Sequence, residues 1–386
     1  MTYGDKFLNR DKIAAMLGAA ALTVGAWQAP AQAAFSTSPD ALPGFNGTVL
    51  AVAYSGSTLF VGGDFTSVVV KGKTVVRNRL AAVDARTGEL LPWAPTADGR
   101  VKGLAVSGSA VYAAGDFGTV GGQKRDSLVK IDAASGAVAS SFKHSISGRP
   151  YAIAAADGKV YLGGTFTAVN GQTRTRLAAF SQSTGALDGT WKPTADDQVE
   201  AITAATGRIY VGGKFHKVSS TSGYNRLVAL DPSSGKIVTG FKPKATVITY
   251  GIAVGPSGVY TAAGGQGGKA NAYSTSGTLK WTATFDGDAQ AVAVHNDTVY
   301  VGGHFDRACK TPRTGAQGVC LDGSDDRVKL AALNVSSGTL QPWTAHANGI
   351  EGVLTMTTNA GFGALAAGGA FTTINGKSTK RLAQFS

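Results

Sequence analysis

One position in a recurring segment carries side chains that could bind a ligand. The segments are short alternating runs such as VLAVAY (49–54), and each contains a small residue at the same place. The residue just before the small one is different each time: Leu50, Lys102, Tyr151, Glu200, Tyr250, Gln290 and Glu351. Successive side chains of a strand point to opposite faces. We therefore expect these seven to turn away from the small residues, near the mouth of a central channel.

The chemistry available at that mouth favours binding. Two tyrosines can stack on flat apolar faces such as those of sugars, and the Lys, Glu and Gln side chains offer directed hydrogen bonds. The ligand-binding candidates are Lys102, Tyr151, Glu200, Tyr250, Gln290 and Glu351, with Arg100 and Arg149 lying two residues before the ring. The alternative is a solvated channel lining whose residues vary because nothing packs against them.

Catalysis has a narrower basis in this sequence. Glu200 and Glu351 could act as a carboxylate pair for glycoside hydrolysis if they lay roughly 5–10 Å apart. Their repeats are three apart in a ring of seven, which places them nearly opposite each other. The sequence has no H-x-x-x-H, C-x-x-C, G-x-S-x-G or H-E-x-x-H motif. We therefore expect no catalytic centre, and a carbohydrate hydrolase or lyase is the alternative.

The sixth repeat carries the longest insertion, residues 306–328, and both cysteines. In an exported protein Cys309 and Cys320 are expected to form a disulfide that restrains this loop. Asp322, Asp325 and Asp326 follow, and three carboxylates within five residues are weak candidates for a Ca²⁺ site. The alternative is an acidic surface turn that offsets nearby arginine and lysine residues. No other cofactor is expected.

The N-terminus has the features of an export signal. Three basic residues precede an apolar run over residues 13–27, and Ala31-Gln32-Ala33 resembles a cleavage site. The run is too short to span a bilayer, so we predict a secretory signal over residues 1–33 and a single mature domain over 34–386 with no transmembrane segment. Removal of the signal changes the net charge from +12 to +11. Such a charge favours anionic partners, and no nucleic-acid recognition motif accompanies it.

The elements that must position these side chains repeat about every 50 residues. Seven copies align on a V-Y-x-G-G-x-F pattern, as in VYLGGTF (160–166), and each has four short segments separated by turn residues. The third and fourth segments are joined by D-x-x-T/S-G turns such as Asp84–Gly88. This predicts an all-β, seven-bladed β-propeller of four-stranded antiparallel blades. An open solenoid is the alternative.

The chain ends favour a closed ring. The last copy stops at Phe385-Ser386, after a third segment, and Phe35–Phe45 resembles a third-to-fourth junction. We expect residues 34–48 to supply the fourth strand of the last blade. Each fourth segment also holds one aromatic residue, predicted to pack between blades; these are Phe45, Trp93, Phe142, Trp191, Phe241, Trp281 and Trp343.

The repeats resemble known propeller families. The turn D-x-x-T-G-x-L-x-x-W at 84–93 resembles the docking motif of quinoprotein-like propellers, and the run at 160–171 resembles delta-60-type repeats of exported bacterial proteins and the Rax2-like fungal propeller. The resemblance covers nearly all of residues 35–386 and implies a propeller fold. It implies no particular activity, because propellers host many functions. Quinoprotein dehydrogenases often have adjacent cysteines, whereas Cys309 and Cys320 are separated, so no quinone is expected.

Together these observations predict an exported interaction protein. We expect a monomer that is secreted or held at the cell surface and that recognises an anionic polymer, a glycan or cell-wall component, or a surface protein. The alternatives are the carbohydrate-active enzyme and a purely structural scaffold.

Overall fold

Seven antiparallel sheets follow one another along the chain. The structure, a computed structural model, describes residues 35–140 and 142–386, so the predicted signal lies outside the described residues. In each sheet the second strand lies in the middle, paired with the first and the third. The strands are Val49–Ser55, Thr58–Gly63 and Leu80–Asp84 in sheet 1; Val101–Ser107, Ala110–Gly115 and Leu128–Asp132 in sheet 2; Pro150–Ala156, Lys159–Gly164 and Leu177–Ser181 in sheet 3; Val199–Ala205, Arg208–Gly213 and Leu227–Leu230 in sheet 4; Ile248–Gly255, Gly258–Gly264, Gly268–Tyr273 and Leu279–Phe285 in sheet 5; Ala289–His295, Thr298–Gly303 and Leu330–Asn334 in sheet 6; and Val353–Asn359, Ala364–Gly369 and Leu382–Phe385 in sheet 7.

Shorter elements connect the second strand of most sheets to the third. They are the hairpins Ser67–Val70 with Lys73–Val76, Thr119–Val120 with Gln123–Lys124, Ala168–Val169 with Gln172–Thr173, Arg307–Cys309 with Ser324–Asp326, and Thr373–Ile374 with Lys377–Ser378. The fourth of these contains one turn of 3₁₀ helix, Ala316–Gly318. Two further short strands, Gly44–Phe45 and Ile146–Ser147, precede the first strands of sheets 1 and 3. Gly44–Phe45 pairs with the first of these hairpins, and Ile146–Ser147 pairs with the third.

The fourth segment of each repeat differs from the predicted strand. Among the residues that the structure describes, only sheet 5 has a full fourth strand, Leu279–Phe285. In sheets 1, 2, 3, 4 and 6 the segment makes a single bridge, as between Val83 and Leu90. In sheets 1 and 6 a proline, Pro92 or Pro342, follows shortly after the bridge and has no N–H to continue the ladder.

A recurring arginine holds this irregular segment in place. Arg77, Arg125, Arg174 and Arg327 each donate from one guanidinium nitrogen to the carbonyl of the preceding residue and from the other to a carbonyl of the fourth segment. For Arg125 that second acceptor is Ala139, at 2.7 Å, and the side chain is buried. Burial lowers the pKa of Arg125. The arginines therefore replace hydrogen bonds that a regular fourth strand would make.

Arg125→Met is expected to lower the free energy of unfolding by about 1–2 kcal/mol, because methionine fills the space of the buried side chain but removes its hydrogen bonds to the carbonyls of Lys124 and Ala139. Lys124→Met is the matched control, since Lys124 is exposed beside it and should change stability by less than about 0.5 kcal/mol. Urea unfolding of both variants measures the difference. Equal stabilities would show that Arg125 does not hold the fourth segment.

Glycine pairs at the end of the second strands allow neighbouring sheets to pack closely. A Cβ placed on Gly62 would lie 2.6 Å from Cγ1 of Val101 in sheet 2, and one on Gly212 would lie 2.6 Å from Cγ2 of Thr249 in sheet 5. The first strand of every sheet packs against the first strand of the next, and that of sheet 7 packs against that of sheet 1. A Cβ on Gly368 in sheet 7 would likewise collide with Val49 in sheet 1.

The tryptophans join adjacent sheets at their outer ends. The indole N–H of Trp93 donates to the carbonyl of Asp132 in sheet 2 at 2.9 Å, and that of Trp191 donates to Asp231 at 3.1 Å. Trp343 makes the corresponding bond, at 3.2 Å, to Ser36 near the start of the described chain. The aromatic residues of the fourth segments are buried and serve as packing between sheets.

The N-terminal segment lies along the last strand of the chain. Ser36 donates its backbone N–H to Ser386 at 3.1 Å, and Asp40 donates to Gln384 at 2.8 Å. The buried Gln384 side chain donates to the Asp40 carboxylate at 2.8 Å and accepts from the Tyr54 hydroxyl at 2.9 Å. These contacts join residues more than 300 positions apart in the sequence.

Candidate functional site

Seven β-bulges create the ring of variable side chains predicted from the sequence. In the first strand of each sheet the pairing with the second strand skips one residue, and a bulge redirects the side chain of the skipped residue. The skipped residues are Leu50, Lys102, Tyr151, Glu200, Tyr250, Gln290 and Leu354. All seven line one cavity of about 180 Å³.

The seventh position is a correction to the sequence analysis. Glu351 was expected in the ring, but Leu354 occupies the bulge of sheet 7, and Glu351 is exposed and does not line the cavity. The loop before this strand is two residues longer than its counterpart in sheet 2: Asn348 caps the loop five residues before Val353, whereas Asp98 caps three before Val101. Among the described residues that line the cavity, Glu200 is therefore the sole carboxylate.

Lys102 and Tyr151 form one side of the mouth. The Lys102 ammonium lies 4.2 Å from the centre of the Tyr151 ring and 3.1 Å from a carboxylate oxygen of Asp116. A cation over an aromatic face is stabilised by the ring quadrupole. The other Asp116 oxygen is buried and faces Arg149 at 3.9 Å. Lys102 thus holds the tyrosine ring while Asp116 holds Lys102.

Glu200 and Tyr250 occupy the adjoining side. One Glu200 carboxylate oxygen accepts from the Gln198 amide at 2.7 Å and lies 3.4 Å from the Lys214 ammonium. Burial raises the pKa of Tyr250, with smaller contributions from the negative charges of Asp288 and Glu200. Tyr250 is therefore a neutral hydroxyl near neutral pH and can donate one hydrogen bond.

The remaining wall is apolar. Leu354 and Leu50 occupy the bulges of sheets 7 and 1, and Met356 lies two residues after Leu354 in the same strand. All three side chains are half-buried. The cavity therefore presents a hydrogen-bonding side and an aliphatic side. A group with one polar and one apolar face would match both.

The rim between sheets 1 and 3 is rich in cations. Arg100 and Arg79 both contact the Asp64 carboxylate at 2.9 Å, and Arg149 faces Asp116. Arg100 and Arg149 remain mostly exposed, at 58% and 67% of their side-chain surfaces. With Lys102, four cations surround two carboxylates, so this rim carries an excess of positive charge. Asp64 directly follows the glycine pair of its strand and Asp116 follows Ala114-Gly115 at the equivalent place, a signal that the sequence analysis missed.

The arginines that open third strands act structurally. Arg79, Arg176, Arg226 and Arg381 share a left-handed backbone conformation with Ser127 and Lys329 at the equivalent positions of sheets 2 and 6. Their side chains bond carbonyl groups; Arg176, for example, donates to Ala195 at 3.0 Å. These arginines therefore have a structural role, and because carbonyl groups are neutral, their positive charge remains.

The acidic residues of the sixth repeat are not gathered into one site. Asp322 pairs with Arg313 at 2.9 Å and Asp326 pairs with Arg307 at 2.9 Å. Asp325 and Asp326 are adjacent on one strand and point to opposite sides. Within residues 35–140 and 142–386 no group of three or more His, Cys, Asp or Glu side chains could hold a metal ion. Cys309 and Cys320 form a disulfide, as predicted.

Comparison with known proteins supports the fold class. The family described as a β-propeller domain of unknown function (DUF5122) matches residues 155–190. The WD40 β-propeller domain of Doa1 is similar in structure, with 10% identity, a TM-score of 0.56 and coverage of 89% of this chain and 95% of that one. A chain of the mitotic checkpoint complex is similar with 14% identity, a TM-score of 0.59 and coverage of 98% of both chains. No curated protein matches the sequence.

The domain is an all-β protein with a β-propeller fold. In the part of the chain that the structure describes, no helix has the length and apolar character needed to cross a membrane.

Proposed function

We propose that this domain is a closed seven-bladed propeller, each sheet with its irregular fourth segment forming one blade. Three contacts support closure: Gly368 of sheet 7 lies against Val49 of sheet 1, the N-terminal segment pairs with sheet 7 through Asp40 and Gln384, and Trp343 of sheet 6 bonds to Ser36 of that segment. Residues 34–48 then complete the last blade. Seven bulged side chains converge on one axial cavity only if the sheets surround it.

We further propose that the mouth of this channel binds a projecting group of an anionic polymer or surface protein. The observation that carries the proposal is the convergence of Lys102, Tyr151, Glu200, Tyr250 and Gln290 on one cavity. Its volume of about 180 Å³ is below the range of roughly 300–1,000 Å³ typical of small-molecule sites. One sugar unit or one side chain fits such a space, and the rest of the partner would lie across the rim.

The charge of the rim selects the class of partner. Arg100 and Arg149 are exposed beside the cavity, and the chain carries a net charge of +12. A carboxylate, sulfate or phosphate on the polymer would meet these guanidinium groups when one unit enters the cavity. Binding is the function this arrangement favours over hydrolysis, because a glycosidase needs a second carboxylate near Glu200.

The location proposed for this binding is outside the cell or at its surface. The basic, apolar and small-residue pattern of residues 1–33 supports export, and the Cys309–Cys320 disulfide is the type of bond that persists in oxidising compartments. Because one chain would complete the ring by itself, we propose a monomer.

A panel of glycans and cell-wall polymers immobilised on a surface tests the proposal with the mature protein. Tyr151→Ala and Tyr250→Ala are each expected to weaken binding of the recognised polymer about tenfold, since each removes an aromatic wall. Arg149→Glu should weaken it further and flatten its salt dependence. Lys236→Glu, an equal charge change at an exposed turn outside the mouth, is the control. Unchanged binding in both tyrosine variants would rule out the mouth.

A further inference from the structure

The hairpin of sheet 1 is longer than its counterparts and has an exposed edge. Its strands, Ser67–Val70 and Lys73–Val76, have four residues each, whereas the hairpins of sheets 2, 3 and 7 have two in each strand. Gly44–Phe45 covers one side of the hairpin, and Lys73–Val76 is the outermost strand on the other. Long edge strands are normally protected because they can pair with another chain.

The backbone of this edge offers hydrogen bonds to an added strand. Lys71 and Gly72 have φ values of 48° and 78°, the left-handed pair that a two-residue hairpin turn requires. Val70 and Lys73 are then the hydrogen-bonded closing pair, and hydrogen-bonded and non-hydrogen-bonded pairs alternate beyond it. Thr74 and Val76 therefore direct their backbone groups away from the hairpin. The Val76 carbonyl already accepts from the Arg77 guanidinium at 2.9 Å, so an added strand would pair with both backbone groups of Thr74 and with the Val76 N–H.

A groove runs beside the edge strand. It is a cavity of about 660 Å³, with aliphatic walls from Leu42, Val70, Val75 and Leu90. On the opposite face of the strand, Val76 is 67% exposed, an unusual state for a valine in a sheet. Alternate side chains of an added strand would enter this groove, and the intervening ones would pass over Val76.

The charge around the groove indicates an acidic occupant. Lys71 and Arg77 line it, Lys73 is exposed at its end, and Lys377 and Lys380 line the adjoining cavity of about 350 Å³. Two carboxylates lie nearby. Glu89 lines the groove, and Asp40 lines the adjoining cavity but is bonded to Gln384 and Ser386. The balance is positive.

We propose that Lys73–Val76 is a docking edge for an extended acidic peptide segment of a partner protein, added as a further strand of the hairpin. Aliphatic residues of the segment fill the groove, and its aspartate or glutamate residues contact Lys71 and Lys73. The free backbone groups favour a peptide over a polysaccharide, which has no matching ladder of N–H and C=O groups. This surface lies at the outer rim and is separate from the channel mouth.

A short fluorescent peptide of alternating aspartate and valine tests the docking edge by fluorescence polarisation. We expect it to bind the folded protein and Thr74→Pro to reduce its affinity at least tenfold, since proline removes an outward N–H and is tolerated on edge strands. Lys124→Pro, at the equivalent place in the hairpin of sheet 2, is the control and should bind as the unmodified protein does. Unchanged melting temperatures would verify that both variants fold.

Two peptide variants and one competitor complete the test. Replacing aspartate by lysine in the peptide, or N-methylating alternate amides, should abolish binding. Equal binding of the N-methylated peptide, or no loss with Thr74→Pro, would overturn the proposal. An anionic polysaccharide that displaces the peptide would also overturn the proposal if its binding were weakened by a substitution at Lys73 but not by Thr74→Pro, because the surface would then be a polysaccharide site. Tyr151→Ala should leave peptide binding unchanged, so this test is independent of the channel mouth.

Discussion

Gly368→Val is expected to lower the free energy of unfolding by about 3 kcal/mol, because the added methyl groups would occupy the space of the Val49 side chain in the first sheet. The substitution introduces no backbone strain from a positive φ, since Gly368 is in a regular strand. The added Cβ would collide with Val49 of sheet 1 and would lie 2.8 Å from Thr355 of its own sheet, so a double-mutant cycle is needed to isolate the contact with Val49. Urea unfolding measures the loss.

Gly240 provides the matched control for this experiment. A Cβ at Gly240 meets no other atom within 4 Å, so Gly240→Val should change stability by less than about 0.5 kcal/mol. A double-mutant cycle with Gly368→Ala and Val49→Ala tests the contact directly, because removing the valine side chain should recover part of the loss. Equal stabilities of the two valine variants would contradict closure of the ring through this contact.

The fold class and the positions chosen for the mouth are both inferred from the repeat. Alternating runs and G-G pairs recur at one spacing, so strands and sheet contacts could be assigned without any single decisive residue. The positions of Lys102 to Gln290 in the cavity follow from that spacing. The direction in which each side chain points does not follow from the spacing. It depends on a bulge in the pairing between strands, and no particular residue type marks the position of that bulge.

The remaining differences have local physical causes. Glu351 was misplaced because the loop before sheet 7 contains two additional residues, and a small residue, Gly352, happens to lie where the repeat expects one. The fourth segments are irregular because arginine side chains rather than strand pairing satisfy part of their backbone. The sequence marks this arginine as the first residue of the pattern R-x-R/S/K-L. The carbonyl groups that it bonds are fourteen residues further along the chain, and only folding brings them together.

Acidification is expected to destabilise the protein through His144, the second large effect. The imidazole packs between Phe142 and Phe180, at ring-centre distances of 4.9 and 4.4 Å. Burial lowers its pKa to about 4. In the unfolded chain the value is about 6.5, so the unfolded state binds more protons between these two pH values. Stability contributed by neutral His144 is therefore complete above about pH 6.5 and is lost as the pH falls to about 4.

The loss should approach about 2–3 kcal/mol, and His144→Phe should remove most of it while keeping an aromatic ring between Phe142 and Phe180. The stability of this variant will still depend on pH to some extent, because burial also lowers the pKa of His295, whose ring lies 4.7 Å from that of Phe35. His216→Phe is the control for replacing a histidine by phenylalanine, since His216 is exposed and does not pack between Phe142 and Phe180. Thermal melts at several pH values between 4 and 7 provide the profile. If the His144→Phe protein lost as much stability on acidification as the unmodified one, the enclosed imidazole would not be the acid-sensitive group.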